Sequence, residues 1–160
     1  MQIDQQVLPA IRVASVRQVG RDVPKIKAAF QKITDWTSRQ HVFDGSNLVM
    51  GVYWDGPETP SDQWRMDACI TLAPNANPPL EEGIVIQTLP GGLCATSLVS
   101  IYNDDFVGAW NSFGAELAAR QIQYDDRPCY EIYYSPCAST HPVKKWVVDL
   151  ISPLKTKLKE

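Results

Sequence analysis

The hydrophobic pattern switches between strand-like and helix-like segments, and it does so twice. Residues 8–17, LPAIRVASVR, alternate apolar and polar side chains as a half-buried strand does. Asp22 then stands ahead of one apolar stripe at helical spacing: Val23, Ile26, Phe30, Ile33 and Trp36. Pro24 falls in its first turn, where a missing N–H costs nothing. Gly45 and Ser46 break the stripe, and LVMGVYW (48–54) and WRMDACITL (64–72) follow as β-rich runs around the turn-rich DGPETPSD (55–62). The connector PNANPPLEE (74–82) leads to a short strand, GIVIQTLP (83–90), and past Gly91 and Gly92 to another, LCATSLVSIY (93–102). Asn103, Asp104 and Asp105 open a second helix with Phe106, Trp110, Phe113 and Leu117 on one stripe. RPCYEIYY (127–134), the turn SPCASTHP (135–142) and KKWVVDLI (144–151) complete a second strand–helix–strand–strand order.

The repetition extends to individual residues. Pro60, Trp64 and Asp67 recur as Pro142, Trp146 and Asp149, each 82 positions on (142−60, 146−64, 149−67), and Tyr53 recurs as Tyr133 at 80 (133−53). Ala28-Ala29-Phe30 matches Gly108-Ala109-Trp110, again at 80 (108−28). The pattern predicts an α+β chain, one domain over 1–160, made of tandem modules at about 8–73 and 83–154. The expected architecture is a pseudo-twofold pair of antiparallel sheets with two helices on one face. A seam between such modules is expected to leave a ligand cleft.

Composition narrows the function. Apolar residues make up 44% and charged residues 21%, and 15 Lys and Arg against 18 Asp and Glu leave a net charge of −3. Nucleic-acid binding wants a clustered basic face, which is missing; Lys155, Lys157 and Lys159 read as a solvated end. No apolar run approaches the roughly 18 residues of a membrane helix, and MQIDQQVLP lacks the order of a signal peptide, so a cytoplasmic chain is expected. Cysteines at 69, 94, 129 and 137 form no C-x-x-C pair and read as free, mostly buried thiols. His41 and His141 lack partners at ligand spacing, so neither a metal nor a resident cofactor is expected. No nucleophile elbow, phosphate-cradling glycine loop or H-E-x-x-H motif occurs.

The strand RPCYEIYY carries the most pointed chemistry. Alternation puts Cys129, Glu131 and Tyr133 on one face and Tyr130, Ile132 and Tyr134 on the other, with both faces covered. Glu131 is then a carboxylate among aromatic and sulfur side chains. Such a group persists where a partner or a function compensates its burial. Ringed by Tyr and Trp it suits an organic cation, with cation–π contact adding about 0.5–2 kcal/mol; the alternative is satisfaction by an Arg or by backbone N–H groups. Tyr53, Tyr102, Tyr133 and Trp146 lie on or beside central strands and are candidates for the seam. Trp36, Phe30 and Phe113 read as core, and Trp54 and Tyr134 as facing the helices. Asp67 and Asp149 read as structural, through strand-end hydrogen bonds or pairing with Arg65 and Lys145.

The stretches GVYWDGPETP, WRMDACITLAP, IQTLPGGLCA, DDFVGAW and DDRPCYEIYYSP…HPVKKWVVDL resemble the GyrI-like family, over residues 8–154. That family includes DNA gyrase inhibitor proteins and effector-binding domains of AraC-type transcription regulators. The resemblance implies small-molecule binding, with the pocket Glu of multidrug-sensing relatives carried onto Glu131 and the next pocket position onto Tyr133. Trp146, Tyr102 and Phe106 follow as ligand-facing aromatics, and Tyr53 and Trp110 complete the candidate set. Two other functions fit the family: inhibition of DNA gyrase by protein contact, and hydrolysis of reactive electrophiles with Glu131 directing water. An AraC-type regulator carries a helix-turn-helix region ahead of this domain, and here the chain starts just before the first strand. Direct DNA contact by this chain is therefore not expected, and it is read as a standalone binder or as a domain of a longer regulator.

Overall fold

The computed structural model describes residues 1–134 and 141–159; most of the turn read at SPCASTHP, with Cys137, lies outside the described residues. In chain order the elements are β1 (Asp4–Leu8), β2 (Ile11–Val19), α1 (Val23–Arg39), β3 (Val49–Tyr53), β4 (Arg65–Thr71), β5 (Ile84–Leu89), β6 (Gly92–Ile101), α2 (Phe106–Ala119), β7 (Cys129–Tyr133) and β8 (Trp146–Pro153). They form an α+β fold of antiparallel strands with one helix in each of two compact units. Among the described residues no helix is long and apolar enough to cross a membrane.

The unit Ala10–Pro90 orders its strands β3-β4-β2-β5. Its helix begins where the Asp22 carboxylate accepts the Lys25 backbone N–H at 3.2 Å, satisfying a donor that the first turn leaves open. Ala29, Ile33, Trp36 and Thr37 then fall on one buried face. That face packs on Ala14, Val16, Ala68, Ile70 and Ile84, which register places on one side of the sheet. Trp36 is core, as expected, and its indole N–H donates to the Pro79 carbonyl at 3.1 Å.

The unit formed by Met1–Pro9 and Gly91–Glu160 orders its strands β1-β6-β8-β7. Asp105 caps α2 by accepting from the Gly108 N–H at 3.0 Å, and Phe113 and Leu117 are buried against Ala95, Ile101, Val148 and Leu150. Leu158 joins this core, and its N–H donates to the Gln5 side chain at 2.7 Å. The end of the chain is thus docked through Leu158, while Lys155, Lys157 and Lys159 stay exposed.

The strand pairing differs from the linear grouping of the repeat. Residues 83–90, grouped in sequence with the second module, pair as β5 with β2, Val13 facing Gln87. The N-terminal strand β1, invisible as a strand in the sequence, pairs with β6. Pro9 and Pro90 stand between consecutive strands at matching positions (90−9 = 81). Proline donates nothing to a ladder, and at each the chain passes from one unit to the other. Both exchanged strands fasten alike: Gln6 donates to Thr96 Oγ1 at 3.0 Å and Gln87 donates to Ser15 Oγ at 2.9 Å.

Candidate functional site

Register decides which way Glu131 points. On β7 it lies opposite Leu150 of β8, and Tyr133 lies opposite Val148. Leu150 and Val148 belong to the core under α2, so Glu131 and Tyr133 share the helix-bearing face. Glu131 has no solvent exposure (0%). The Tyr133 hydroxyl donates to its Oε1 at 3.4 Å, a long contact. Burial pushes the carboxyl up to about 8, with the Tyr133 hydrogen bond pulling the other way. The group is therefore mostly protonated at neutral pH, and anything that stabilises its charge takes a proton off it.

Two more rings pack against Tyr133. Phe106, the first residue of α2, stands edge-on to Tyr133 at 6.3 Å and to Trp146 at 5.7 Å, while Tyr133 and Trp146 lie 5.8 Å apart, tilted by 58°. Edge-to-face packing sets the positive edge of one ring on the negative face of the next, the same face that attracts a positive group. All three rings are half-buried. Trp110, one turn along α2, packs on Phe113 at 5.7 Å. Tyr102, 48% exposed, sits in the turn before α2, its carbonyl accepting the Asp105 N–H at 3.1 Å. Tyr53 belongs to the other unit, where it stacks on Trp64 at 5.6 Å and 30°. The structure thus brings Glu131, Tyr133, Phe106 and Trp146 together.

Other expectations are corrected. Asp67 is paired not with Arg65 but with Arg17, at 2.9 and 3.0 Å, and also accepts from Trp54 Nε1 at 2.7 Å and Gln87 at 2.9 Å. Arg65 turns instead to Asp55 at 2.9 Å. Trp54 and Tyr134 do not lie under the helices: each hydrogen-bonds an aspartate on the far face of its sheet, Tyr134 donating to Asp149 at 2.8 Å. Strand geometry explains this, because direct cross-strand neighbours on one face come from partner strands rather than from adjacent residues. The thiols of Cys69 and Cys94 are buried and Cys129 is partly so, all three free. A residue the sequence reading passed over is Asp104, whose Oδ1 accepts from the Trp146 indole N–H at 2.8 Å. The signal for it was its place directly before the α2 cap.

Open hollows of about 350 and 220 Å³ run along α1, between Lys32, Asp35 and Arg39 and beside Arg17 and Lys25. Neither includes Glu131, and their basic rims suit no cation. The chemistry of interest lies with the buried carboxylate and not with these troughs.

This fold is shared with proteins of known structure. The EcmrR C-terminal domain superposes with a TM-score of 0.73 at 14% identity, covering 98% of each chain. SAV2435 bound to tetraphenylphosphonium superposes with a TM-score of 0.60 at 12% identity, covering 97% of this chain and 94% of that one. In sequence, a DNA gyrase inhibitor of Pantoea sp. (strain At-9b) is 30% identical over 149 residues, covering 92% of this chain and 94% of its own. The chain belongs to the family of GyrI-like small molecule binding domains, which it matches over residues 1–155.

Proposed function

We propose that the Glu131 site holds an amphipathic organic cation, and that the chain acts as an effector-binding domain for such compounds. The observation that carries this reading is a fully buried carboxylate bonded to Tyr133, whose ring packs against Phe106 and Trp146. A lipophilic cation brings positive charge to the buried carboxylate, and its apolar body replaces water against the rings. Binding converts Glu131 from acid to carboxylate, so at neutral pH ligand uptake releases a proton. The similarity to a protein bound to tetraphenylphosphonium supports a delocalised, ring-bearing cation as the ligand class.

The test is calorimetric titration with tetraphenylphosphonium and with the uncharged triphenylphosphine oxide. Glu131→Gln is expected to weaken the cation at least tenfold, about 1.4 kcal/mol, and to leave the neutral compound within about twofold. Equal affinity of parent and variant for the cation would remove Glu131 as the anchor. A second reading, inhibition of DNA gyrase by direct contact, is favoured by the gyrase inhibitor that is 30% identical to this chain. In a supercoiling assay it predicts inhibition that Glu131→Gln leaves unchanged. The hydrolytic alternative relies on the same carboxylate, and it requires turnover of an electrophile that disappears in Glu131→Gln.

A further inference from the structure

The strongest feature not yet accounted for is the turn that joins β6 to α2. Asn103 and Asp104 both adopt left-handed backbone, at φ of 53° and 60°, and so does Lys144 just before β8, at 44°. Left-handed conformations at non-glycine residues are uncommon and are held only where the surroundings impose them. Here they are imposed by cross-links between the two segments. The Asn103 N–H donates to the Val143 carbonyl at 3.1 Å, and the Lys144 ammonium lies 3.5 Å from Asp104 Oδ2. The product of this arrangement is one short contact, from the Trp146 indole N–H to Asp104 Oδ1 at 2.8 Å.

The repeat offers an internal control. Asp104 directly precedes the α2 cap Asp105, as Arg21 directly precedes the α1 cap Asp22. Trp146 corresponds to Trp64 (146−64 = 82). In the unit Ala10–Pro90 the pre-cap residue lies over the ring: the Arg21 guanidinium sits 5.2 Å from the Trp64 centroid and is tied to the Thr59 and Gly56 carbonyls. That indole already carries a cation supplied by the chain. In the other unit the pre-cap residue takes the indole by its N–H edge. Held by its edge, the Trp146 ring packs against Phe106 at 5.7 Å and Tyr133 at 5.8 Å.

We propose that Asp104 is a positioning residue of the ligand site, holding the Trp146 indole by its edge so that its ring stays in contact with Phe106 and Tyr133. The role rests on the binding reading given above, since it assigns Trp146 to the ligand. Asp104 acts through Trp146 and is not itself a charge for the ligand, because its side chain is half exposed and shared with Lys144. A positioning role makes three demands. Removing the acceptor must weaken every ring-bearing ligand, charged or neutral; replacing it by an amide that still accepts must not; and the effect must vanish when Trp146 can no longer donate.

The experiment titrates tetraphenylphosphonium and triphenylphosphine oxide into the parent, Asp104→Ala, Asp104→Asn and both combined with Trp146→Phe. Asp104→Ala is expected to weaken both probes about fivefold, with Asp104→Asn within about twofold of the parent. In the Trp146→Phe background Asp104→Ala is expected to add nothing. A loss confined to the cation and equal in Ala and Asn would show a charge effect and overturn the proposal, as would an undiminished loss in the Trp146→Phe background. The ligand-free protein gives an independent readout in the indole N–H resonance of Trp146, assigned with Trp146→Phe. It should shift and broaden in Asp104→Ala but not in Asp104→Asn, and an unmoved resonance would overturn the positioning role. If the parent binds neither probe, the binding reading fails, and the resonance alone still decides whether Asp104 holds the ring.

Discussion

Among the described residues each unit buries one carboxylate, and the two behave in opposite ways. Asp67, 1% exposed, sits on the face of its sheet away from α1; Glu131, 0% exposed, sits on the face that carries α2. Burial pushes both carboxyls up. For Asp67 that push is outweighed by hydrogen bonds from Arg17, Gln87 and Trp54 and by the Arg17 charge, and its carboxyl is held below the ordinary value. For Glu131 burial wins, and the Tyr133 hydroxyl offsets only part of it. Depth alone therefore does not decide whether a carboxylate is structural. The donors that the fold aims at it do.

The repeat sharpens the contrast. The position matching Glu131 in the other unit is Gly51 (131−51 = 80), opposite Ala68 where Glu131 has Leu150. Phe106 in α2 matches Ile26 in α1 at the same offset (106−26 = 80), and Ile26 contributes no ring. One unit thus has a stacked Tyr53–Trp64 pair with Arg21 over the indole, and the other has a tilted Tyr133–Trp146 pair, a third ring at Phe106 and an acid at Glu131.

The largest effect expected from this difference is on stability. The native state holds a proton on Glu131 up to about pH 8, whereas the unfolded chain gives it up near 4.5. The contribution of Glu131 is complete below about pH 4.5 and is lost as pH rises to about 8. Glu131→Gln cannot ionise, so it is expected to match the parent at pH 4.5 and to exceed its stability at pH 9 by several kcal/mol, ~5 at the limit. Urea unfolding of both proteins at the two pH values measures this. An equal offset at both would mean that Glu131 ionises in the native state as it does in the unfolded chain.

Asp67→Asn should act in the reverse sense and more weakly. The depressed carboxyl stabilises the fold above the unfolded value of about 3.8 and loses that contribution as pH falls through its lower native value. The amide can still accept from Trp54 and Gln87 but not as an ion partner of Arg17, whose side chain is 44% exposed. A loss of about 1–3 kcal/mol at pH 7, shrinking toward pH 3, is the expected result. A variant as stable as the parent at pH 7 would show that the Asp67 network contributes nothing net.

How far the sequence carried these conclusions differs from residue to residue. Both helices were legible because their caps and stripes are local: Asp22 and Asp105 accept from residues three positions on. Alternation grouped Glu131 with Tyr133 on one face of β7, but it could not tell which face carries the helix, so Tyr134 was expected under α2 where Glu131 and Tyr133 lie. β1 was not legible, because DQQVL is largely exposed and owes its extended form to pairing with β6. The partner of Asp67 was hidden for the same reason, since Arg17 lies 50 residues away and only strand register joins them. Asp104 was hidden because its contact with Trp146 spans 42 residues and depends on left-handed backbone that the residue types do not announce.

Ligand binding gives the next effect in size. If Glu131 must ionise to meet a cation, tetraphenylphosphonium affinity should rise about tenfold between pH 7 and pH 9, about 1.4 kcal/mol, and level off above the carboxyl's value of about 8. Titrations in buffers of different ionisation enthalpy should report close to one proton released per ligand at pH 7. Triphenylphosphine oxide should show neither trend, and Glu131→Gln should abolish both. A flat affinity profile for the cation would break the link between the carboxyl's charge and binding.

The smallest effect isolates the Tyr133 hydroxyl, which donates to Glu131. The Tyr133 hydrogen bond lowers the carboxyl against the effect of burial, and Phe at this position keeps the ring while removing the donor. In Tyr133→Phe the carboxyl should therefore titrate at still higher pH, and the rise in cation affinity should move with it. At 3.4 Å the bond is a weak one, so the expected loss is about threefold in tetraphenylphosphonium affinity at pH 7, recovered at high pH where both proteins are ionised. A loss that persists above the upper plateau would instead assign the hydroxyl to the ligand. Tyr133 would then touch the bound cation directly and not through Glu131, which would divide the site's polarity between two residues of β7.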